Sequence, residues 1–411
     1  MRSYMDLAPS PRTIMTPGPV EVDPRVLRAM SYPILGQFDP EFTGLMNETM
    51  EMLREVFVTG NQWAYPVDGT SRSGIEAVLV SLIEPGDKVL VPIYGRFGHL
   101  LVEIARRCGA DVVRLEKEWG TVFAAEEILS AIRTHQPRLV AVVHGETSTG
   151  RLQPLDGLGD ACREIDALLV VDAVATIGGV KVATDEWGID AVIGGTQKCL
   201  SVPSGLAPVT YNSRAEAKLL KRKRIERGLL MSDEEAQHNL VPRPIQSNYL
   251  DLSQLQDYWS PARLNHHTEA TTMLYALREG LRLVLQEGLE ARFARHREQE
   301  AALVAGIEAM GLTLYGDPSC KMPVVTCIEI PEGIDGESVR SMLLSDFGIE
   351  IASSFGPLKG RIWRIGTMGY SCSKRNVLLT LGAFEAVLLR HGCKLDAGAG
   401  LQAAMDVYGI G

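Results

Sequence analysis

Two side chains of opposite charge follow apolar runs in the middle of the chain. Asp172 lies near the end of "ALLVVDAV", and Lys198 follows "DAVIGG", the next apolar run. Burying an unpaired ammonium or carboxylate group is costly, so neither residue is an ordinary choice for a protein core. Open α/β sheets keep their ligand crevice at the carboxyl ends of the parallel strands. We therefore expect Asp172 and Lys198 to enter one crevice.

A lysine and an aspartate in one crevice suit pyridoxal phosphate. The lysine amine forms a Schiff base with the cofactor, and the aspartate keeps the pyridine nitrogen protonated, so that the ring accepts electrons. A structural ion pair would use the same two residue types. The pair by itself leaves both interpretations open.

A hydroxyl-rich turn precedes an amphipathic helix pattern in "VDGTSRSGIEAVLV". The N–H groups at the start of that helix, with the hydroxyls of Thr70 and Ser71, suit a phosphate dianion. The segment matches neither the dinucleotide pattern G-x-G-x-x-G nor the Walker pattern, which makes a nucleotide the weaker option. Any helix cap rich in Ser and Thr has this composition, so the segment is a weak signal by itself.

Two more strand ends carry candidate ligands. "HGETSTG" offers the hydroxyl of Thr147, and "YGRFG" offers Phe97 as a flat apolar surface for a ring. His144 has no second ligand at helical spacing, and the seven cysteines form no C-x-x-C pair, so we expect His144 to be structural and no metal to be bound. A core phenylalanine explains Phe97 equally well. The four strand ends are informative only together.

The elements around these residues indicate an α/β protein. Apolar runs alternate with amphipathic stretches from about residue 64 to residue 211, which is typical of a mainly parallel sheet buried on both faces. After residue 261, two long helical patterns precede alternating strand and helix patterns, which predicts a smaller α+β unit. We predict an arm (1–24), a large cofactor-binding domain (25–285), a small domain (286–393) and a C-terminal tail (394–411).

Composition argues against several partners. The chain of 411 residues has a net charge of −10, and its one basic run, at 218–228, contains no aromatic residues, so we expect no nucleic-acid partner. No apolar stretch reaches the ~18 residues of a membrane span, and the N-terminus lacks the apolar core of a signal peptide. The odd number of cysteines indicates no disulfide framework. We expect a cytoplasmic protein that does not bind a membrane.

Six motifs in order resemble those of the class V aminotransferases, which are pyridoxal-phosphate enzymes of fold type I. The resemblance covers nearly the whole chain and is greatest to the alanine–glyoxylate and serine–glyoxylate branch. The motifs are "TPGPVEVDPRVL", "HGETSTG", "VVDAVATIGG", "GGTQKCL", "NHHT" and "WRIGTMG".

The resemblance implies a large domain with a mainly parallel sheet of seven strands, a smaller C-terminal domain and a homodimer with shared active sites. Lys198 would be the Schiff-base lysine and Asp172 the partner of the pyridine nitrogen. Arg364 would bind the substrate carboxylate, for which a bidentate guanidinium is well suited. The other matching cofactor residues are Phe97 against the ring, Thr147 near its phenolic oxygen, Thr70, Ser71, Arg72 and Gln197 around the phosphate, and Thr268 from the neighbouring subunit.

Two positions on the substrate side depart from the branch. Gln37 replaces the usual histidine and Asn265 replaces the usual tyrosine. Both are amides, and a buried amide without a partner costs ~1–3 kcal/mol, so a ureido group is a better complement than the methyl group of alanine. The pattern resembles the (S)-ureidoglycine–glyoxylate aminotransferases of purine (allantoin) breakdown, which form glycine and an oxalurate-type oxo acid. Drift at two tolerant positions is the competing explanation.

Three other functions compete with this one. The nearest is an aminotransferase that takes alanine or serine as the donor. A cysteine desulfurase needs a mobile nucleophilic cysteine, and Cys372 in "GYSCSK" is the candidate. A non-catalytic regulator that binds pyridoxal phosphate would normally carry a DNA-binding module, and the sequence has no appended helix-turn-helix pattern.

Overall fold

The computed structural model describes residues 5–230, 232 and 239–410. Its helices of six or more residues are α1 (Pro24–Ala29), α2 (Pro40–Phe57), α3 (Ser71–Leu82), α4 (Arg96–Arg107), α5 (Ala125–His135), α6 (Leu158–Glu164), α7 (Ser213–Arg222), α8 (Leu252–Trp259), α9 (Thr271–Glu287), α10 (Leu289–Ala309), α11 (Gly336–Phe347), α12 (Lys374–Arg390) and α13 (Ala399–Val407). None of the helices in the described residues is both long and apolar enough to cross a membrane.

A seven-stranded sheet forms the centre of the larger part of the molecule, as predicted. In spatial order its strands are β2 (Trp63–Gly69), β10 (Gly205–Tyr211), β9 (Ala191–Ile193), β8 (Leu168–Asp172), β5 (Leu139–Val143), β3 (Lys88–Ile93) and β4 (Asp111–Glu116). All neighbouring pairs are parallel except those of β10, which runs antiparallel to both β2 and β9. Strands β5 and β8 are buried along their whole length, in accordance with their continuous apolar sequences.

The apolar side chains form two large cores. The first surrounds the seven-stranded sheet and extends along the chain from Val26 to Val284. The second contains Met15 and then residues from Ala302 to Ala404. The domain boundaries remain a prediction. Met15 of the arm belongs to the second core, so the arm packs against that part of the molecule.

Short strands build the second part of the molecule. Strands β11 (Val325–Glu329), β14 (Ile362–Gly366) and β13 (Ala352–Ser353) form an antiparallel sheet. Strand β1 (Thr13–Ile14) pairs with β12 (Ile349–Glu350) in parallel, which anchors the arm on this part. The remaining two strands, β6 (Gly145–Glu146) and β7 (Arg151–Leu152), form a hairpin beside the site described below.

The C-terminal tail contains helix α13, whose order the sequence left open. It crosses α10 where two glycines meet, because a Cβ atom on Gly306 would lie 2.9 Å from the Gly400 carbonyl oxygen, and the reverse distance is also 2.9 Å. Glycine at both positions lets the two backbones approach closely. The tail is thus part of the second core rather than a loose extension.

The basic run is less exposed than a solvated helix face. Arg222 is buried and donates to the carbonyl oxygens of Val80 and Ser81. Lys218 forms an ion pair with Asp87 at 2.8 Å. At least two charges of the run therefore make contacts within the fold.

Candidate active site

One cavity of about 380 Å³ opens at the carboxyl ends of the parallel strands. This is where open α/β sheets bind their ligands. The structure brings eight of the predicted residues together around it: Thr70, Ser71, Arg72, Phe97, Thr147, Asp172, Gln197 and Lys198.

The sequence predicted Lys198 at the end of a strand, but the structure places it in a turn. Strand β9 ends at Ile193, and the chain then turns before it reaches Lys198. The Nζ atom donates to the carbonyl oxygen of Pro17 in the arm. Burial, with a smaller contribution from the positive charge of Arg364, lowers the pKa of Lys198 to about 8. A lysine in this environment carries a neutral, reactive amine far more often than an exposed one.

Asp172 ends strand β8 on the wall of the same cavity. Its Oδ1 atom accepts a hydrogen bond from the N–H of Val174 at 3.0 Å. Burial raises the pKa of Asp172 to about 6, while the Val174 hydrogen bond and the charge of Lys198 act in the opposite direction. The carboxylate is suited to a cationic ring nitrogen, because such a partner would stabilise its charged form.

The start of helix α3 forms a cradle for an anion. Thr70 occupies the N-cap without a side-chain capping bond, so the N–H groups of the first turn are not capped by its side chain. The Ser71 hydroxyl donates to Gln197 Oε1 at 2.9 Å and joins the cradle to the turn that carries Lys198. Backbone N–H groups and the helix dipole stabilise a phosphate at such a position.

Glu146 organises the wall that carries Phe97, and sequence reasoning missed it. Its Oε2 atom accepts from the Phe97 N–H at 2.8 Å, and its Oε1 atom accepts from the Ser148 hydroxyl at 2.6 Å. Burial raises the pKa of Glu146, although these hydrogen bonds lower it. An acid inside the otherwise apolar and hydroxyl-rich stretch around "HGETSTG" was the available signal.

Arg364 is a buried cation beside the cavity. Its guanidinium donates to the carbonyl oxygens of Ser353 (2.8 and 2.6 Å) and Thr147 (2.9 Å) and stacks on Phe355 at 4.7 Å. Within the described part of the chain, no carboxylate pairs with it. Burial lowers its pKa to about 10. A buried guanidinium without an acidic partner is suited to a substrate carboxylate.

Arg96 is a second cation that sequence reasoning missed. It lines the cavity and lies over the Phe355 ring at 4.0 Å. Phe355 therefore stands between Arg96 and Arg364. Only the fold reveals this cluster, because Arg96 begins α4, Phe355 follows β13 and Arg364 lies in β14.

The remaining predicted residues do not line the cavity of their own chain. Gln37 and Asn265 meet each other instead, since Gln37 Nε2 donates to Asn265 Oδ1 at 3.1 Å. The Oε1 atom of Gln37 is buried without a hydrogen-bond partner. Asn265 and Thr268 are exposed. The structure thus separates these three residues from the eight around Lys198.

The groups around the cavity fit pyridoxal phosphate. An amine with a lowered pKa, a buried carboxylate, an uncapped helix start and an aromatic ring line one cavity. Gly18 lies against the lysine, and a Cβ atom there would be 2.5 Å from Lys198 Cδ. The donor set supplies a partner for the aldehyde, the ring nitrogen, the phosphate and the ring face.

Comparisons with known proteins identify the family. The model of "Aminotransferase class-V" matches residues 34–224. The chain is 69% identical over 408 residues to an (S)-ureidoglycine–glyoxylate transaminase of Bacillus subtilis (strain 168), covering 99% of this chain and 98% of the relative. It belongs to the class-V aminotransferase family.

Two further comparisons agree with this assignment. The chain is 36% identical to an alanine–glyoxylate aminotransferase of Drosophila melanogaster, over 94% of this chain and 95% of the relative. The crystal structure of a ureidoglycine–glyoxylate aminotransferase from Bacillus subtilis matches with a TM-score of 0.93 and 68% identity, over 98% of this chain and 100% of the other. The chain is a pyridoxal-phosphate-dependent aminotransferase of fold type I, as the motifs predicted.

The desulfurase alternative loses its nucleophile. Cys372 is buried, and burial raises the pKa of its thiol to about 12. A buried thiol with a raised pKa is a poor nucleophile. A cysteine desulfurase from Thermococcus onnurineus shares the fold, with a TM-score of 0.71 at 17% identity.

Proposed function

We propose that this aminotransferase moves the amino group of (S)-ureidoglycine to glyoxylate. The products are glycine and an oxalurate-type 2-oxo acid. The observation that carries the proposal is the pairing of Gln37 and Asn265, the two amides that depart from the alanine–glyoxylate branch. The high identity to a transaminase named for this substrate pair supports it.

The amide pair has the polarity that a ureido group requires. Gln37 Oε1 is a buried acceptor without a partner in the chain, and the exposed Asn265 amide keeps donor hydrogens available. A ureido group carries N–H donors beside a carbonyl acceptor and therefore complements both. An apolar donor such as alanine leaves the Gln37 oxygen unsatisfied, at ~1–3 kcal/mol.

The residues around the cavity take separate roles in the reaction. Bound pyridoxal phosphate supplies the electron sink that makes the substrate Cα–H bond acidic. Lys198 would hold the cofactor, and its amine would serve as the base that removes the proton from the substrate Cα. Asp172 keeps the ring nitrogen charged, and Arg364 binds the substrate carboxylate. The walls around Phe97 keep water away from the reacting atoms.

The amides reach a second active site in the proposed homodimer. Gln37, Asn265 and Thr268 belong to a surface of their own chain, and Ile34 and Phe38 beside Gln37 are 66% and 69% exposed. Large apolar side chains this exposed commonly mark a protein interface. We propose that a second copy covers this surface and receives Gln37, Asn265 and Thr268 beside its own Lys198.

The proposed substrate pair supports a role in purine breakdown by way of allantoin. The proposed compartment is the cytoplasm, which the seven unpaired cysteines of the structure favour. Fractionation of the producing cells tests the compartment. A preference for alanine or serine as the donor is the second candidate, because relatives named for alanine share about a third of the sequence.

The ratio of kcat/KM for ureidoglycine over alanine tests the proposed donor. We expect Gln37→His and Asn265→Tyr each to lower the ratio about ten- to hundredfold, because each strands a ureido donor or acceptor. Turnover of alanine should stay constant or rise. The reverse reaction from glycine serves as a check, since ureidoglycine is unstable. A ratio equal in the wild type and in both variants would show that the amides do not select the substrate.

A further inference from the structure

A buried acidic cluster lies outside the catalytic cavity and is not used in the reaction described above. Asp68, His267 and Glu269 place three potential ligand atoms within 4.8 Å of one another. The Nε2 atom of His267 is 3.4 Å from Asp68 Oδ2 and 3.7 Å from Glu269 Oε2. No metal motif was recognised in the sequence, and Asp68 is distant in sequence from His267 and Glu269.

The two carboxylates of this cluster have only His267 as a basic partner among the described residues. No Lys or Arg forms an ion pair with Asp68 or Glu269 among residues 5–230, 232 and 239–410. Glu269 is only 4% exposed, and both of its carboxylate oxygens lack a hydrogen-bond partner, as does Asp68 Oδ1. An uncompensated buried charge is strongly destabilising. A bound cation, or a proton shared by the two carboxylates, would remove this cost.

Tyr258 adds an independent buried group at the same place. Tyr258 is 3% exposed, and its hydroxyl makes no hydrogen bond of good geometry although it lies beside the Glu269 carboxylate. Its ring lies 4.6 Å from the His267 ring, and its side chain is next to Glu269. Buried polar atoms are nearly always satisfied in native proteins, so several orphaned atoms around one point indicate a missing ligand.

The hydrogen bonds of His267 leave its Nε2 atom free to coordinate a metal. His266 Nε2 faces the Asn248 carbonyl oxygen at 3.3 Å and must carry a hydrogen to bond it. Neutral His266 then accepts at Nδ1, so His267 must donate from its own Nδ1 across 2.9 Å. The lone pair of neutral His267 consequently lies on Nε2, between the carboxylates. Metal-bound histidines are held by an outer hydrogen bond of this kind.

From these contacts we propose a divalent cation site of the zinc class formed by Asp68, His267 and Glu269. Tetrahedral zinc with bonds of 2.0–2.2 Å separates its ligand atoms by about 3.3–3.6 Å, close to the two distances measured in the cluster. The fourth position belongs to water or to the Tyr258 hydroxyl. One imidazole and two carboxylates also suit manganese, and the metal titration distinguishes the two ions.

The site would join two segments that serve the cofactor. Asp68 precedes the cradle that begins at Thr70, and His267 and Glu269 flank Thr268 on the surface assigned to the partner's site. A bound ion would therefore hold the phosphate cradle and the Thr268 loop in one fixed relation. Only this consequence depends on the proposed function; metal binding itself does not.

Metal content of the untagged holoenzyme tests the proposal. After incubation with ZnCl₂ or MnCl₂ and gel filtration, we expect about one ion per subunit by elemental mass spectrometry. Glu269→Gln and Asp68→Asn should bind zinc at least tenfold more weakly. Glu48→Gln, which changes a carboxylate paired with Arg278 outside the cluster, should keep the full amount.

Two results would overturn the proposal. One is a wild-type content below about a tenth of an ion per subunit with both metals, which would indicate that a shared proton balances the carboxylates. The other is equal zinc in the wild type and Glu269→Gln, which would indicate binding at other groups. If both variants fail to fold, the metal content of the wild type still distinguishes a bound ion from a shared proton. Donor preference is measured in a separate experiment. A wrong donor assignment would therefore not change the conclusion about metal binding.

Discussion

At the scale of single residues, burial gives Lys198 a reactivity that its residue type lacks at neutral pH. The pKa falls from 10.5 to about 8, which increases the neutral fraction at pH 7 about three-hundredfold. The same burial raises the pKa of Asp172. One cavity thus prepares a lysine to act as a nucleophile and base and a carboxylate to hold a cation.

Lys198→Ala should abolish turnover and leave the fold intact. The side chain makes its hydrogen bond to one backbone oxygen, so its removal takes away the reactive amine and little packing. Borohydride reduction of the wild-type holoenzyme should place the pyridoxyl group on Lys198 in a peptide map. Lys181→Ala, at an exposed lysine paired with Glu186, should keep both activity and the adduct. An adduct on another lysine would contradict the assignment.

The pH dependence of cofactor uptake should move in opposite directions in two variants. Uptake by the apoenzyme needs the neutral Lys198 amine, so its rate should rise with pH to a midpoint near 8. Arg364→Gln removes a repelling positive charge and should raise the midpoint. Asp172→Asn removes an attracting negative charge and should lower it. Stopped-flow absorbance gives both profiles, and a shift of the same sign in both variants would show that these charges do not set the Lys198 pKa.

Sequence reasoning found the side chains that follow strands and missed those that reach the site from elsewhere. Lys198 and Asp172 are polar residues in apolar surroundings, which is a local signal. Glu146 acts through the Phe97 N–H, and Phe355 acts by stacking between two arginines. Such roles depend on contacts between distant segments, and no spacing in a single sequence encodes them.

At the scale of elements, the N-terminal arm is part of the site as much as any strand of the sheet. Strand β1 fixes the arm on β12, and the chain then continues to Pro17 and Gly18 beside Lys198. Gly18 has φ +105°, and a Cβ atom there would lie 2.7 Å from Lys198 Cε. The arm can approach the lysine only with glycine at this position.

Gly18→Ala should weaken cofactor retention strongly. The backbone strain costs about 1–3 kcal/mol, and the new methyl group displaces the Lys198 side chain. We expect a cofactor dissociation constant at least tenfold higher, measured by absorbance after dialysis. Gly44→Ala, in helix α2 with open space around the new Cβ, should bind the cofactor normally. Normal retention by Gly18→Ala would show that the arm does not position Lys198.

The direction of β10 shows where element prediction succeeded and where it failed. Its apolar sequence predicted a strand, and the mainly parallel sheet is confirmed. The reversal follows from the chain length, since only residues 194–204 separate β9 from β10. A parallel return needs a crossover of about a dozen residues or more, usually a helix. The turn that carries Lys198 fills this short connection, so the reversal and the position of the lysine have one cause.

At the scale of the whole molecule, the predicted site residues form two separate groups within one chain. Lys198 and its neighbours occupy a cavity, whereas Gln37, Asn265 and Thr268 occupy an exposed surface beside Ile34 and Phe38. Their separation within one chain supports the proposed exchange of residues between subunits. This support comes from the structure and does not depend on the resemblance to known dimers. In the proposed homodimer each subunit gives its lysine to one site and its amides to the other.

Hybrid dimers test this exchange directly. In a mixture of Lys198→Ala and Asn265→Tyr subunits, one site of each hybrid carries both substitutions. The other site combines the intact lysine of one subunit with the intact asparagine of the partner. Random pairing makes half of the dimers hybrid, so one undamaged site per hybrid should restore about a quarter of wild-type ureidoglycine turnover. Two affinity tags allow the hybrids to be isolated and verified before the assay.

The control for the exchange places both substitutions in the same subunit. A hybrid of the double variant Lys198→Ala/Asn265→Tyr with a wild-type subunit has, under the proposal, one site without the lysine and one without the asparagine. It should therefore turn over ureidoglycine no faster than the Asn265→Tyr homodimer, per intact lysine. If each chain instead used its own asparagine, this hybrid would keep one complete site and about half of the wild-type activity. The hybrid of the two single variants would then have no complete site. The two arrangements thus predict activity in different hybrids. Loss of folding would inactivate both hybrids, so it could not produce either result.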